Sequence, residues 1–319
     1  VYSYDSIVWH FFPENHRDAS AATYSFWLDR PFEQDTVYIA YGLPYPYSQV
    51  ERLIERLRTI PYVGPTRSSD ASLVIGLSPG GGDEAGRLIH PKKLFGFRIA
   101  DESDSMEPRA NVILVGGVHP NEPLGNHTIE GLLDYLLGDT PDASELRRRA
   151  AFYVYPMVNP DGRFAGYNRS TVQHVDRDAN RVWREDLYED MDDIRQIAEA
   201  MKRDVERPPT YFVDFHCWTH NQRHFGILAR EEGFHRDPFW RALRQLEPSL
   251  SERDSGWTNW SAETFAFKRL GARFAMTLET MFIPDENIDR FHRLGQNIGM
   301  AFARAITVKS AEQVIAARP

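Results

Sequence analysis

The sequence predicts an α/β protein: three layers, α/β/α, around a mixed, largely parallel central sheet, with a short β-rich flank at the N-terminus. Three observations predict it. Apolar runs of strand length recur along the chain, among them Val112-Ile-Leu-Val115 and Tyr211-Phe-Val-Asp-Phe215. The first is an unbroken β-branched and aliphatic run, the kind that a parallel sheet buries on both faces. Stretches with apolar residues at helical spacing lie between such runs, and strands alternating with helices imply a sheet covered on both sides. Finally, 319 residues with 42% hydrophobic and 13% aromatic content suffice for one large α/β core.

Residues 1–46 are rich in aromatics and β-formers, with turn signals at Pro13-Glu-Asn15 and Asp29-Arg-Pro31, and 36–41 reads as a strand. This segment is expected to be a β-rich flank or small accessory β module beside a main domain over 47–319. In 49–59, Val50, Leu53, Ile54 and Leu57 form a helical stripe that stops before Pro61. Strands follow at 72–76, 94–100 and 111–116. Pro79-Gly-Gly-Gly82 lacks the G-K-[ST] ending of a phosphate loop, so it reads as a hairpin or flexible turn. Pro123 opens a helix whose apolar side carries Leu124, Ile129, Leu132, Leu133, Leu136 and Leu137, and Gly138 closes it. A strand at 151–157 leads into a long loop, 159–184. A helix over 192–206, strands at 211–216 and 224–230, helices at 237–246 and 261–270, a strand at 273–279 and a long helix at 285–306 complete the pattern. No internal repeat is visible.

A net charge of −9 and a pI near 5.7, without a basic stripe interleaved with aromatics, argue against a nucleic-acid partner. No run of about 18 apolar residues exists, so no membrane span is expected. The chain starts at Val1 and lacks a basic-then-apolar leader pattern, so it reads as mature or trimmed, with a removed leader left open. The lone Cys217 rules out an internal disulfide framework and fits a cytoplasmic setting. It follows His216 directly, so strand alternation points it to the opposite side, as a packing residue. The acidic run over 184–193 reads as a solvated loop entering a helix.

Chemistry enters where the two apolar runs end. His119 and Glu122 follow the first at once, and His216 follows the second. A lone H-x-x-E says little, since a His after a strand is usually a loop or core residue. The matching second site changes the reading. In an open α/β sheet the carboxyl ends of neighbouring strands share one crevice. Two His and one Glu there supply three metal ligands and leave a fourth position free, the pattern of a catalytic rather than a structural zinc.

Three further stretches, Asn159-Pro-Asp-Gly162, Asp178-Ala-Asn-Arg-Val-Trp183 and Thr277-Leu-Glu279, follow in order. The set resembles the zinc metallocarboxypeptidases of the carboxypeptidase A clan. Within that clan it is most similar to the cytosolic carboxypeptidase branch, because Asp35-Thr-Val-Tyr-Ile-Ala-Tyr-Gly-Leu-Pro-Tyr-Pro-Tyr-Ser48 is similar to the segment joining that branch's N-terminal β domain to its catalytic domain. The resemblance covers roughly residues 33–305. It implies one Zn2+ ion on His119, Glu122 and His216, Glu279 as general base, and Asp178 as the carboxylate that orients a zinc His, assigned to His119. Arg169, ten residues after Asn159, is the implied oxyanion partner, with Arg163 and Arg177 as competitors in the same loop. Asn180 and Arg181 are the implied holders of a substrate's terminal carboxylate.

The implied activity is hydrolysis of the C-terminal peptide bond, or a side-chain-linked one, with a peptide or protein C-terminus as partner. One departure stands out: digestive-type members carry a mobile Tyr before the base, but Tyr211 is the last tyrosine here, and Trp257 or Trp260 occupies that region. His220 and His224 read as loop residues near the pocket mouth. Lys268, Arg269 and Arg273 lie near Glu279 in sequence, where a basic specificity pocket would draw on them. Two alternatives stay in play: a zinc amidohydrolase acting on small N-acyl amino acids, which shares H-x-x-E, and an inactive peptide-binding module, which would be expected to lose a ligand or the base.

Overall fold

The computed structural model describes residues 1–18, 20–21, 23–40, 42–103, 110–218, 224–228, 234–254, 260–281 and 287–307. Among these, eight strands form the central sheet: β1 (Val63–Pro65), β2 (Phe97–Ile99), β3 (Ala110–Gly116), β4 (Ala150–Tyr155), β5 (Tyr211–Trp218), β6 (Phe225–Leu228), β7 (Ser251–Asp254) and β8 (Phe274–Met281). Their order is β7-β6-β8-β5-β3-β4-β2-β1. The central strands β4, β3, β5 and β8 run parallel. Antiparallel β2 and β1 extend one edge, and β6, antiparallel to β8, carries β7 on the other. β3, β4 and β8 are buried at every residue, which explains why their sequences run apolar without alternation.

Chain order decides where the crevice opens. The strand after β3 in sequence, β4, lies on one side of it, and the next, β5, lies on the other. Such a reversal parts the connections at the carboxyl ends and leaves a cleft there. The helices are α1 (Tyr47–Leu57), α2 (Pro123–Leu137), α3 (Pro141–Arg149), α4 (Pro160–Ala165), α5 (Asp192–Asp204), α6 (Pro238–Leu246), α7 (Ala262–Lys268) and α8 (Ile288–Thr307), with a single turn at Glu185–Tyr188. α8 packs against α2, α3 and α6, while α7 lies on β5 and β8.

Several expectations are refined. The strand expected at 72–76 forms as Val74–Leu77, but pairs only with Lys93–Phe95 in a separate two-stranded sheet. The run at 94–100 divides at Gly96, and only its second part joins the main sheet as β2. In the flank, Tyr38–Ile39 pairs with Tyr2–Ser3, and Glu14–Asp18 forms a hairpin with Thr23–Trp27. The loop expected at 159–184 contains α4. α3, β1 and β7 had no clear periodic signal: β1 is three residues long, and α3 is dominated by charged residues. Val1 and Leu43 join Leu124, Cys217 and Phe291 in a small satellite core. Cys217 is thus buried as a packing residue.

Candidate metal centre

Two connections build the centre. After β3, Gly117 takes a left-handed φ of +66°, open to glycine at little cost, and the chain turns so that His119 faces the cleft. Glu122 occupies the N-cap of α2, with Pro123 in the first turn. Its carboxylate makes no capping bond to the helix. It points instead to the histidines: Oε1 lies 2.8 Å from His119 Nδ1, and Oε2 lies 2.7 Å from His216 Nδ1. The backbone N–H of Cys217 also donates to Oε2, at 3.0 Å.

The two Nδ1 atoms are 3.1 Å apart, and one ligand atom from each of the three residues falls within 4.8 Å of the others. Both rings have their outer nitrogen on a carboxylate: His119 Nε2 to Asp178 Oδ1 at 2.9 Å, and His216 Nε2 to Asp214 Oδ2 at 2.7 Å. Such partners place the proton on Nε2 and aim the Nδ1 lone pairs inward. Two facing lone pairs repel unless a cation lies between them. Zinc–nitrogen bonds of about 2.0 Å in a tetrahedron separate the ligand atoms by roughly 3.3 Å, close to the spacing found. The donor set fits zinc.

The surrounding carboxylates favour positive charge at this point, which in the absence of an ion falls to a proton. Burial alone would push His216 down, but Asp214 and Glu122 outweigh it and hold the imidazole well above its usual range. Burial alone would raise Glu122, yet His119 and His216 hold it well below the usual carboxylate range. For Asp178 burial is again overcome, by His119 and then Arg169, and its carboxyl stays low. Glu279 is the exception: burial, with Glu122 adding repulsion, pushes it up to about 7. It pairs in register with His216 on the neighbouring parallel strand. Only 7% exposed, it has a buried Oε2 without a hydrogen-bond partner, as expected where a water or substrate atom is to be received.

Of the three loop arginines, Arg169 comes to the cluster. Its Nε donates to Asp178 Oδ2 at 2.9 Å, and Nη1 lies 3.6 Å from Glu122 Oε1. Arg163 is turned to Tyr45 O and Asn126 Oδ1, and Arg177 pairs with Asp190. Asn180 donates its N–H to Asp178 Oδ1 at 2.8 Å, accepts from Ala262 N at 2.9 Å, and brings Nδ2 within 3.3 Å of His216 Nε2. Arg181 follows it, Nη1 on Asn180 O at 2.7 Å. Asn159 caps α4 through Gly162 N, and Asp161 accepts from Ser78 Oγ and Gly80 N at 2.7 Å each, so Asn-Pro-Asp-Gly serves as scaffold.

His224 is buried, with Nδ1 accepting from Met281 N at 2.8 Å, a structural bond at the end of the Glu279 strand. His220 and Trp257 lie outside the described residues. Trp260 is ringed by Arg184, Lys268 and Arg269, each within about 5 Å of the ring centre. Sequence reasoning overlooked Asp214. The signal was there, because residues two apart in a strand share a face.

A sequence profile described as zinc carboxypeptidase matches residues 84–244, half of the 319-residue chain and the whole stretch from His119 to His216. The chain belongs to the zinc carboxypeptidase family. Similar curated proteins are cytosolic carboxypeptidases, as the sequence resemblance implied. Cytosolic carboxypeptidase 2 of Danio rerio is 30% identical over 65% of this chain and 27% of its own length. Cytosolic carboxypeptidase 6 of Homo sapiens is 24% identical over 72% of this chain and 43% of its own length. This zinc carboxypeptidase chain therefore spans less than half of the curated relatives it matches. Solved metallo-carboxypeptidases from Burkholderia cenocepacia (TM-score 0.74, 21% identity) and Pseudomonas aeruginosa (TM-score 0.75, 22% identity) share the fold. They cover 98% and 97% of this chain, which covers 80% of each.

Proposed function

We propose that the chain is an active zinc-dependent carboxypeptidase that removes residues from the C-terminus of peptides or proteins. The convergence of His119, Glu122 and His216 beside Glu279, whose buried Oε2 has no hydrogen-bond partner among the described residues, carries this reading. A single zinc on the three ligands would supply a Lewis acid and a water acidified to a pKa near 7.

The chain's own groups do the rest. Glu279 takes the proton of the attacking water and passes it to the leaving amine, a task suited to a carboxylate whose burial keeps it basic. Asp178 and Asp214 fix the two imidazoles by their Nε2 protons. Arg169, anchored on Asp178, offers positive charge to the oxyanion that develops at the scissile carbonyl. Arg181 and Asn180 hold the free carboxylate of the substrate, a guanidinium fork matching a carboxylate in shape and charge.

We assign residues 1–46 to an accessory β segment and 47–319 to the catalytic domain, and place the protein in the cytosol on the names of its relatives. No described helix is long and apolar enough to cross a membrane.

Glu279→Gln is expected to lower release of the C-terminal residue by about 10²–10⁴-fold, while metal analysis still finds the zinc of the His119 centre. C-terminally amidated peptides should resist cleavage. Equal cleavage of amidated and free peptides would sink the exopeptidase reading, and turnover of small N-acyl amino acids alone would favour the amidohydrolase.

A further inference from the structure

A second H-x-x-E lies further along α2. His127 and Glu130 are three residues apart, hence neighbours on one helical face. α8 crosses that face so closely that a Cβ on Gly131 would lie 2.2 Å from His292 O, and one on Gly295 would lie 2.1 Å from Thr128 O. The approach delivers His292 to His127 and Glu130, and one ligand atom from each falls within 4.8 Å of the others.

The polar atoms at this crossing are incompletely satisfied in a telling way. His127 Nε2 faces Pro44 O at 3.1 Å, which puts the proton there and leaves Nδ1 with a lone pair. Nδ1 is buried without a hydrogen-bond partner among the described residues, and His127 is 1% exposed. His292 is arranged alike: Nδ1 faces Asp134 Oδ2 at 3.8 Å, and the buried Nε2 has no hydrogen-bond partner, lying 3.7 Å from Glu130 Oε2. Glu130 is steadied by Tyr45 Oη, which donates to Oε1 at 2.9 Å, and by Gln49 Nε2, 3.3 Å from Oε2. Each imidazole thus keeps a buried nitrogen without a hydrogen-bond partner in the cluster with Glu130, and His127 is fixed through its other nitrogen by Pro44 O, as the partners of metal-bound histidines fix them.

We propose that α2 and α8 hold a second divalent transition-metal ion of zinc-like preference, on His127 Nδ1, Glu130 Oε2 and His292 Nε2. Imidazole and carboxylate together suit zinc and its neighbours rather than calcium or magnesium. The ion clamps the C-terminal helix to the helix that begins at Glu122, and through Pro44 and Tyr45 to the end of the flank.

The test is a count of tight sites. Chelator-stripped full chain is titrated with Zn2+ against a chromophoric chelator. The wild type should take up two equivalents, His292→Gln one, His119→Gln one, and the double variant none. A His119→Gln that binds none, or a His292→Gln that binds as many as the wild type, overturns the proposal. If His292→Gln loses its native circular dichroism, Glu130→Gln takes its place with the same expected count. In the His119→Gln background, added Zn2+ should raise the thermal midpoint, and this rise should vanish when His292→Gln is combined with it; an unchanged rise also overturns the proposal. Loss of the His119 site alone bears on the proposed function and leaves this count readable.

Discussion

Asp214 is buried to 0% exposure, accepts from His216 Nε2, and leaves its second oxygen without a partner. A carboxylate in such a place is costly unless the group it holds needs holding. Asp214→Asn should therefore lower zinc affinity about 10–100-fold, read by chelator competition; undiminished affinity would remove its role. The meeting of His119, Glu122 and His216 was legible in the sequence because each follows an apolar run, and position after a strand is a pattern a single sequence displays. Asp214 sits inside the run Tyr211-Phe-Val-Asp-Phe215, where its apolar neighbours mask it as one more strand residue. Arg169 is picked out from Arg163 and Arg177 by its spacing from Asn159, through the family resemblance and not through residue type. Arg163, Arg169 and Arg177 share one loop, and only its path around α4 turns one of them onto Asp178.

At the level of elements, strongly periodic or unbroken apolar segments were readable and marginal ones were not. α1, α2, β3, β5 and β8 announce themselves by stripe or run. The residues Glu14–Asp18 and Thr23–Trp27 pair with each other across an exposed hairpin, where no buried face imposes a pattern. The α2–α8 crossing was hidden for a different reason: two glycines decide it, and what a missing side chain permits depends on a partner distant in sequence. Gly131→Ala tests this. Its methyl would meet backbone atoms of His292 at 2.2–2.6 Å, so one helix must move. Destabilisation of about 3 kcal/mol is expected for such overpacking, measured by urea unfolding; a change within about 0.5 kcal/mol, the range of neutral surface substitutions, would mean the crossing is looser than described.

For the whole molecule, stability should carry the imprint of a buried acid outside the metal cluster. Asp193 lies in the first turn of α5, where the helix dipole favours a charged carboxylate. Burial wins, and its pKa is pushed up to about 7. A carboxyl raised on folding contributes stability fully present below its unfolded value, near 4, and lost as pH climbs through about 7. Asp193→Asn should then be more stable than wild type at pH 8 by about 2–4 kcal/mol, with the gap closing toward pH 4 in denaturant titrations. A constant gap across that interval would show that the acid ionises as freely folded as unfolded. The pairing of His216 with Glu279 has a consequence for biosynthesis. A polypeptide emerging from the ribosome releases His119, Glu122 and His216 well before residues 274–281, the strand that flanks His216 and bears Glu279. Prematurely terminated products would lack that flank, and with it the support that holds the three side chains together.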